Sequence, residues 1–224
     1  MAAGAEHRGR AGGRDWARLA LWLVGGTMAY NMVEAAVALF AGVTAHSIAL
    51  VGFGLDSVIE CAAGAVMLHR LAVQAQGHDS EAIERSETRA RRFIGATFLL
   101  LALYVLLQAG WSLLRREPAA ESVLGIALAV LSLVIMPLVA WGKLRTAAAL
   151  GSTALRAEAK ETLACSYLSF TLLLGLVANA TVGWWWADPF AALAMVPWLV
   201  REGIEGVRGE ECGCAQGEGT GRGE

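Results

Sequence analysis

The chain has 224 residues, 56% of them hydrophobic and only 17% charged, with a formal net charge of -2. A soluble domain of this length would carry more charge, and so even a balance excludes nucleic acid binding driven by bulk electrostatics. The apolar residues gather instead into stretches that reach the roughly 20 residues a helix needs to cross a bilayer.

Residues 1–15, rich in Gly, Ala and Arg, are expected to form a disordered basic N-terminus. The apolar run after them is too long for the core of a signal peptide and reads as a retained first helix. Spans are predicted at about 18–42, 46–71, 93–114, 121–142, 153–182 and 187–204, in a single transmembrane domain at 16–206. Residues 207–224 are expected to be a short disordered tail. A bilayer offers the backbone no hydrogen bonds, so spans of this length are helices. The expected fold is therefore an all-α membrane protein with six transmembrane helices. Asp188-Pro189 marks the start of the sixth, as an N-cap and a proline at the first helical position. Trp184, Trp185 and Trp186, just before it, read as an interfacial anchor.

Basic residues orient the spans. Arg8, Arg10, Arg14 and Arg18 precede the first, and Arg85, Arg89, Arg91 and Arg92 lie between the second and third. Lys143, Arg145 and Arg156 fall between the fourth and fifth, and Arg201 and Arg208 follow the sixth. The opposite loops carry only Arg115 and Arg116, partly offset by Glu117. Both termini are thus expected in the cytoplasm, in a multi-pass protein of the plasma (inner) membrane. The mixed charges of 73–92 suggest a solvated helical extension. Cys61, Cys165, Cys212 and Cys214 have no disulfide-framework spacing and are read as reduced.

A charged residue inside a spanning helix costs about 2.5–3.5 kcal/mol on insertion scales, so each one needs a reason. Span two carries Asp56 and Glu60 at i,i+4, one above the other on one helix face. Span five carries Glu158, Glu161 and Cys165 on one face, continued by Ser169, and span one carries Asn31 and Glu34 at i,i+3. Asp56 falls ten positions into span two and Glu161 eight into span five, so both lie in mid-helix at broadly similar depth. Facing each other, the pairs Asp56/Glu60 and Glu161/Cys165 would surround one point with three carboxylates and a thiol. That donor set suits a divalent ion, zinc best, and the thiol disfavours magnesium and calcium. With all four groups ionised, negative charge would be concentrated in low dielectric, so protons and metal compete for the same atoms. Proton-coupled exchange of a metal follows. A lone intramembrane carboxylate can merely hydrogen-bond a neighbouring helix, but two such pairs on different helices fit that role poorly. Cys165 by itself would read as a small packing residue. Glu158, flanked by Arg156 and Lys160, suits a vestibule facing the cytoplasm. Asn31 and Glu34 suit either a supporting or a structural role. His46, at the outer end of span two, suits an exit or an ordinary interfacial position, and His7, His69 and His78 lack ligand spacing.

At these residues the sequence resembles the cation diffusion facilitator family of metal/proton antiporters, over about Asn31 to Arg208. The likeness rests on N-x-x-E (Asn31, Glu34) and on S-x-A-L followed by D-S-x-x-E (Ser47, Ala49, Leu50, Asp56, Ser57, Glu60). It continues in R-A-E-x-x-E-x-x-x-C (Arg156 to Cys165), where the family has R-A-D-x-x-H-x-x-x-D, and in A-D-P (Ala187, Asp188, Pro189). The resemblance implies a metal site of Asp56, Glu60, Glu161 and Cys165, with Glu161 where the family has histidine and Cys165 where it has aspartate. It further implies efflux of a divalent heavy metal, zinc first and cadmium or ferrous iron next, with protons as counter-ions and a homodimer as the assembly. The metal would be cargo, not a cofactor. Family members commonly carry a C-terminal cytoplasmic metal-binding domain, whereas only some twenty residues follow span six here. Cys212 and Cys214 in that tail could capture metal.

Two rival readings exist. Some intramembrane transferases hold magnesium on D-x-x-x-D helices, but they need a second all-acid motif and basic groups for phosphates, and Cys165 and the lack of buried arginines near Asp56 argue against that reading. A non-transporting scaffold or regulatory subunit would owe nothing to the acids.

Overall fold

The computed structural model describes residues 3–76, 80–116 and 119–208, and the side chains of 15–69, 92–116, 119–152, 155–156 and 158–208. Every element among them is helical: α1 (Ala3–Ala45), α2 (Ile48–Gln76), α3 (Ser80–Arg115), α4 (Val123–Leu150), α5 (Thr153–Val182) and α6 (Ala187–Arg208). The helices match the predicted spans in number and order, and most run further. The extra length lies chiefly at the polar ends, where nothing in the sequence stops a helix that has left the apolar layer. Helix ends fall at local signals. Ser122 and Ser152 cap α4 and α5 by accepting the amides of Gly125 and Leu155 (3.1 and 3.2 Å). Gly151 and Gly183 close the same helices in the left-handed region, at φ 63° and 67°.

The turn from α1 to α2 needs no glycine. Its left-handed residue is His46 (φ 53°), while the His46 and Ser47 amides bond the Val43 and Gly42 carbonyls at 3.3 and 3.0 Å. That pattern is a Schellman closure. His46 itself is exposed there.

Among the described residues, five segments are long and apolar enough to cross a membrane: Asp15–Ala45, Ile48–His69, Arg92–Arg115, Val123–Leu150 and Glu158–Val182. The sixth helix is less apolar, since Arg201, Glu202, Glu205 and Arg208 occupy its last two turns. Its contacts nevertheless run the full depth of the bundle. At one end Asp188 meets the start of α2. At the other, Gly203 and Gly95 let α6 and α3 approach so closely that a Cβ on Gly95 would sit 2.6 Å from the Val207 amide nitrogen. The 22 residues of α6 amount to about 33 Å of helix, a bilayer's hydrocarbon thickness. Packing is pairwise: α1 lies on α2 and α4, α4 on α5, and α3 on α6. Leu50, Phe53, Val105, Leu168, Leu172 and Met195 are central to the main core. Large side chains such as Trp22, Phe93, Leu114 and Leu138 stand outward, as a lipid-facing surface requires.

One sequence expectation is corrected here. Asp188 does not cap α6, which already begins at Ala187 and holds Asp188 and Pro189 in its first turn. Its carboxylate crosses to α2, where it accepts from the Ile48 amide (2.8 Å), the Ala49 amide (3.5 Å) and the Ser47 hydroxyl. The reason is geometric: the first amides of α2 lack partners within their own helix, and a buried carboxylate from the neighbouring helix satisfies them. Asp188→Ala is expected to destabilise the protein by about 2 kcal/mol, since it strips buried donors of their acceptor. Thermal unfolding in detergent measures this.

Candidate metal site

Asp56 and Glu60 lie one turn apart on α2, and Cys165 lies mid-way along α5. The helix pairing brings them together: one ligand atom from each falls within 4.8 Å of the other two. In a tetrahedral zinc site, with bonds of about 2.0–2.3 Å, donor atoms sit roughly 3.3–3.8 Å apart. The three atoms are therefore at most roughly 1–1.5 Å beyond binding distance. Asp56 and Cys165 are 2% and 1% exposed, so water reaches the cluster poorly.

Neighbouring helices hold these side chains in place. From α1, the Asn31 amide donates to Glu60 Oε2 at 2.7 Å, while Asn31 Oδ1 is buried without a protein partner. Glu34, also on α1 and 1% exposed, accepts from the Ser57 hydroxyl at 2.9 Å, beside Asp56. Ser169 donates to the Cys165 carbonyl (2.7 Å) and lies 3.0 Å from Ser132 Oγ of α4, tying the next turn of α5 to its neighbour. Thus Asn31, Glu34 and Ser169 line or support the cluster.

Glu161 does not join the three-atom group. It is half-buried, one turn before Cys165, and its charge acts on both Asp56 and Glu60. His46 lies at the α1–α2 turn, not at the cluster. Glu158 lies one turn nearer the N-terminus of α5 than Thr162 and is held by Lys143: Nζ to Oε1 measures 3.0 Å. Cys212, Cys214, His7 and His78 lie outside the described residues.

Lys143 is the principal residue misplaced by the sequence reading. It belongs not to a basic loop but to α4, buried to 1% exposure, where its ammonium donates to Glu158 and to Thr162 Oγ1, both at 3.0 Å. The predicted fourth span stops at 142, one residue short. The spacing of Ser132, Met136, Ala140, Lys143 and Ala147, all on the buried face of α4, is the signal that finds it. Glu202 of α6, also half-buried, was missed as well, and its charge acts on Asp56.

Residues 27–205 match the transmembrane domain of the cation efflux family. The chain belongs to that family. No curated protein matches it. As a cation efflux protein, the chain is a multi-pass membrane transporter of metal cations and not an enzyme. The transferase and scaffold readings fall with that membership.

Proposed function

We propose that this cation efflux protein exports a divalent heavy metal, zinc first, from the cytoplasm across the plasma membrane in exchange for protons. Asp56, Glu60, Glu161 and Cys165 bind the ion in this reading, in a single transport domain at 16–206 with both termini cytoplasmic. The observation that carries it is the convergence of three acidic or thiol ligand atoms within 4.8 Å of one another, from buried Asp56 and Cys165 and half-buried Glu60. Two hard oxygens and a soft sulfur suit zinc, with cadmium and ferrous iron behind it. Glu161 completes the set by moving in as the ion binds, which its position one helical turn from Cys165 allows. A homodimer is part of the same proposal, as is metal capture by Cys212 and Cys214.

The proton coupling has a direct test. Carboxyl and thiol ligands coordinate only when deprotonated, so metal binding releases protons and affinity rises with pH. Zinc titrated into the purified protein in weak buffer is expected to release at least one proton per ion, and the apparent Kd to tighten as pH is raised from 6 to 8. A pH-independent Kd with no proton release would contradict exchange. Cys165→Asp replaces the sulfur by a hard oxygen. It is expected to shift competition binding away from cadmium and toward manganese by about tenfold; an unchanged ranking would reduce Cys165 to packing.

A further inference from the structure

On the cytoplasm-facing side of the metal cluster, the bundle is closed twice. Ala20, Val24, Met67, Ala147 and Leu155 form a small apolar cluster where α1, α2, α4 and α5 meet. Between that plug and the metal ligands lies the Lys143–Glu158 pair: Ala147 is one turn beyond Lys143 along α4, and Leu155 about one turn beyond Glu158 along α5. Thr162 completes the arrangement. Its hydroxyl donates to the Glu158 carbonyl at 3.1 Å, leaving its lone pairs for the ammonium. Glu158 Oε2 is buried and has no protein partner. The ammonium is thus held by one carboxylate oxygen and one hydroxyl oxygen, and the carboxylate has a second buried oxygen to spare. The ammonium is close enough to act electrostatically on Glu60.

We propose that Glu158 and Thr162 form a cation station at the cytoplasmic door of the metal site, filled at rest by Lys143, and that an incoming divalent cation must displace the ammonium to pass. This rests on the reading of Asp56, Glu60 and Cys165 as metal ligands. The buried ion pair would otherwise be a poor investment, because desolvating two charges costs about as much as their attraction returns, and an apolar pair would serve stability as well. A tethered ammonium does what an apolar pair cannot. It neutralises the door against leakage of small cations and yields only to a competitor of higher charge.

The test uses Cys165 as the reporter, in full-length protein carrying Cys61→Ser, Cys212→Ser and Cys214→Ser, in inverted membrane vesicles. Two thiol reagents of similar size are compared, cationic aminoethyl methanethiosulfonate and neutral methyl methanethiosulfonate. The ratio of their rates cancels the thiol's own reactivity and any general loosening of the fold. Lys143→Gln is expected to raise the cationic-to-neutral ratio about tenfold, and Lys143→Arg to leave it within twofold of the parent. If Lys143→Gln does not accumulate, the paired variant Lys143→Gln/Glu158→Gln is expected to raise the ratio at least threefold. Ratios within twofold of the parent in both neutral variants would overturn the gate. Zinc added to the same vesicles should slow labelling of Cys165 in the parent; its failure to protect would instead count against the metal ligands, whatever the ratios show.

Discussion

Asp56→Asn is expected to lower metal flux by about 100-fold or more while the protein still folds. The substitution keeps the shape of the side chain and removes the charge that, in the proposed site, binds the ion. Groups that merely hydrogen-bond a metal ligand already change affinity by about 10–100-fold when removed, and a ligand itself should cost at least as much. Folding is expected to survive for an electrostatic reason. Asp56 is 2% exposed and faces the charges of Glu34, Glu161 and Glu202, so neutralising it relieves repulsion in a poorly solvated interior. The unfolding temperature should hold or rise as flux disappears. Loss of flux together with loss of the folded protein would make Asp56 a structural residue.

Lys143 should behave in the opposite way. Lys143→Met is expected to destabilise the protein by about 3–5 kcal/mol, because it leaves the Glu158 carboxylate buried with no counter-charge. Glu158→Gln strands the ammonium and should cost a comparable amount. The double variant Lys143→Met/Glu158→Gln is expected to recover most of the loss, as both charges leave together. Unfolding of the four proteins in detergent gives the double-mutant cycle. Additive single effects would mean that the 3.0 Å contact between Nζ and Oε1 contributes nothing to the folded state.

The two residues also show what a sequence reveals about a membrane transporter. Asp56 and Glu60 were legible because both facts that matter about them are local: they are charged within an apolar run, and they are four apart on a helix. Cys165 was legible at one remove, through its offset from Glu161 on the same face. That Cys165 rather than Glu161 joins Asp56 and Glu60 in the three-atom group depends on the rotation and depth of α5 against α2, which no periodicity reports. Lys143 was hidden by a boundary. Hydropathy falls at a lysine, so the span was ended one residue before it, although the buried face of α4 continues through Lys143 to Ala147. Asp188 shows the same limit from the other side. Its place before a proline suggested a local cap, whereas its partners are Ser47 and Ile48, some 140 residues earlier. The helices and their order followed from the apolar runs along the chain; beyond the pairing of α2 with α5, contacts between helices did not.

The central claim, metal moved in exchange for protons through the Asp56 cluster, is tested most directly in proteoliposomes. An outwardly or inwardly imposed pH gradient is combined in turn with zinc, cadmium, ferrous iron and manganese, while a trapped metal indicator and an internal pH dye are read together. The account predicts that zinc flux follows the proton gradient in both directions, that each zinc pulse dissipates the gradient, and that Asp56→Asn abolishes both signals. Zinc flux that ignores the gradient, or that persists in Asp56→Asn, would contradict it.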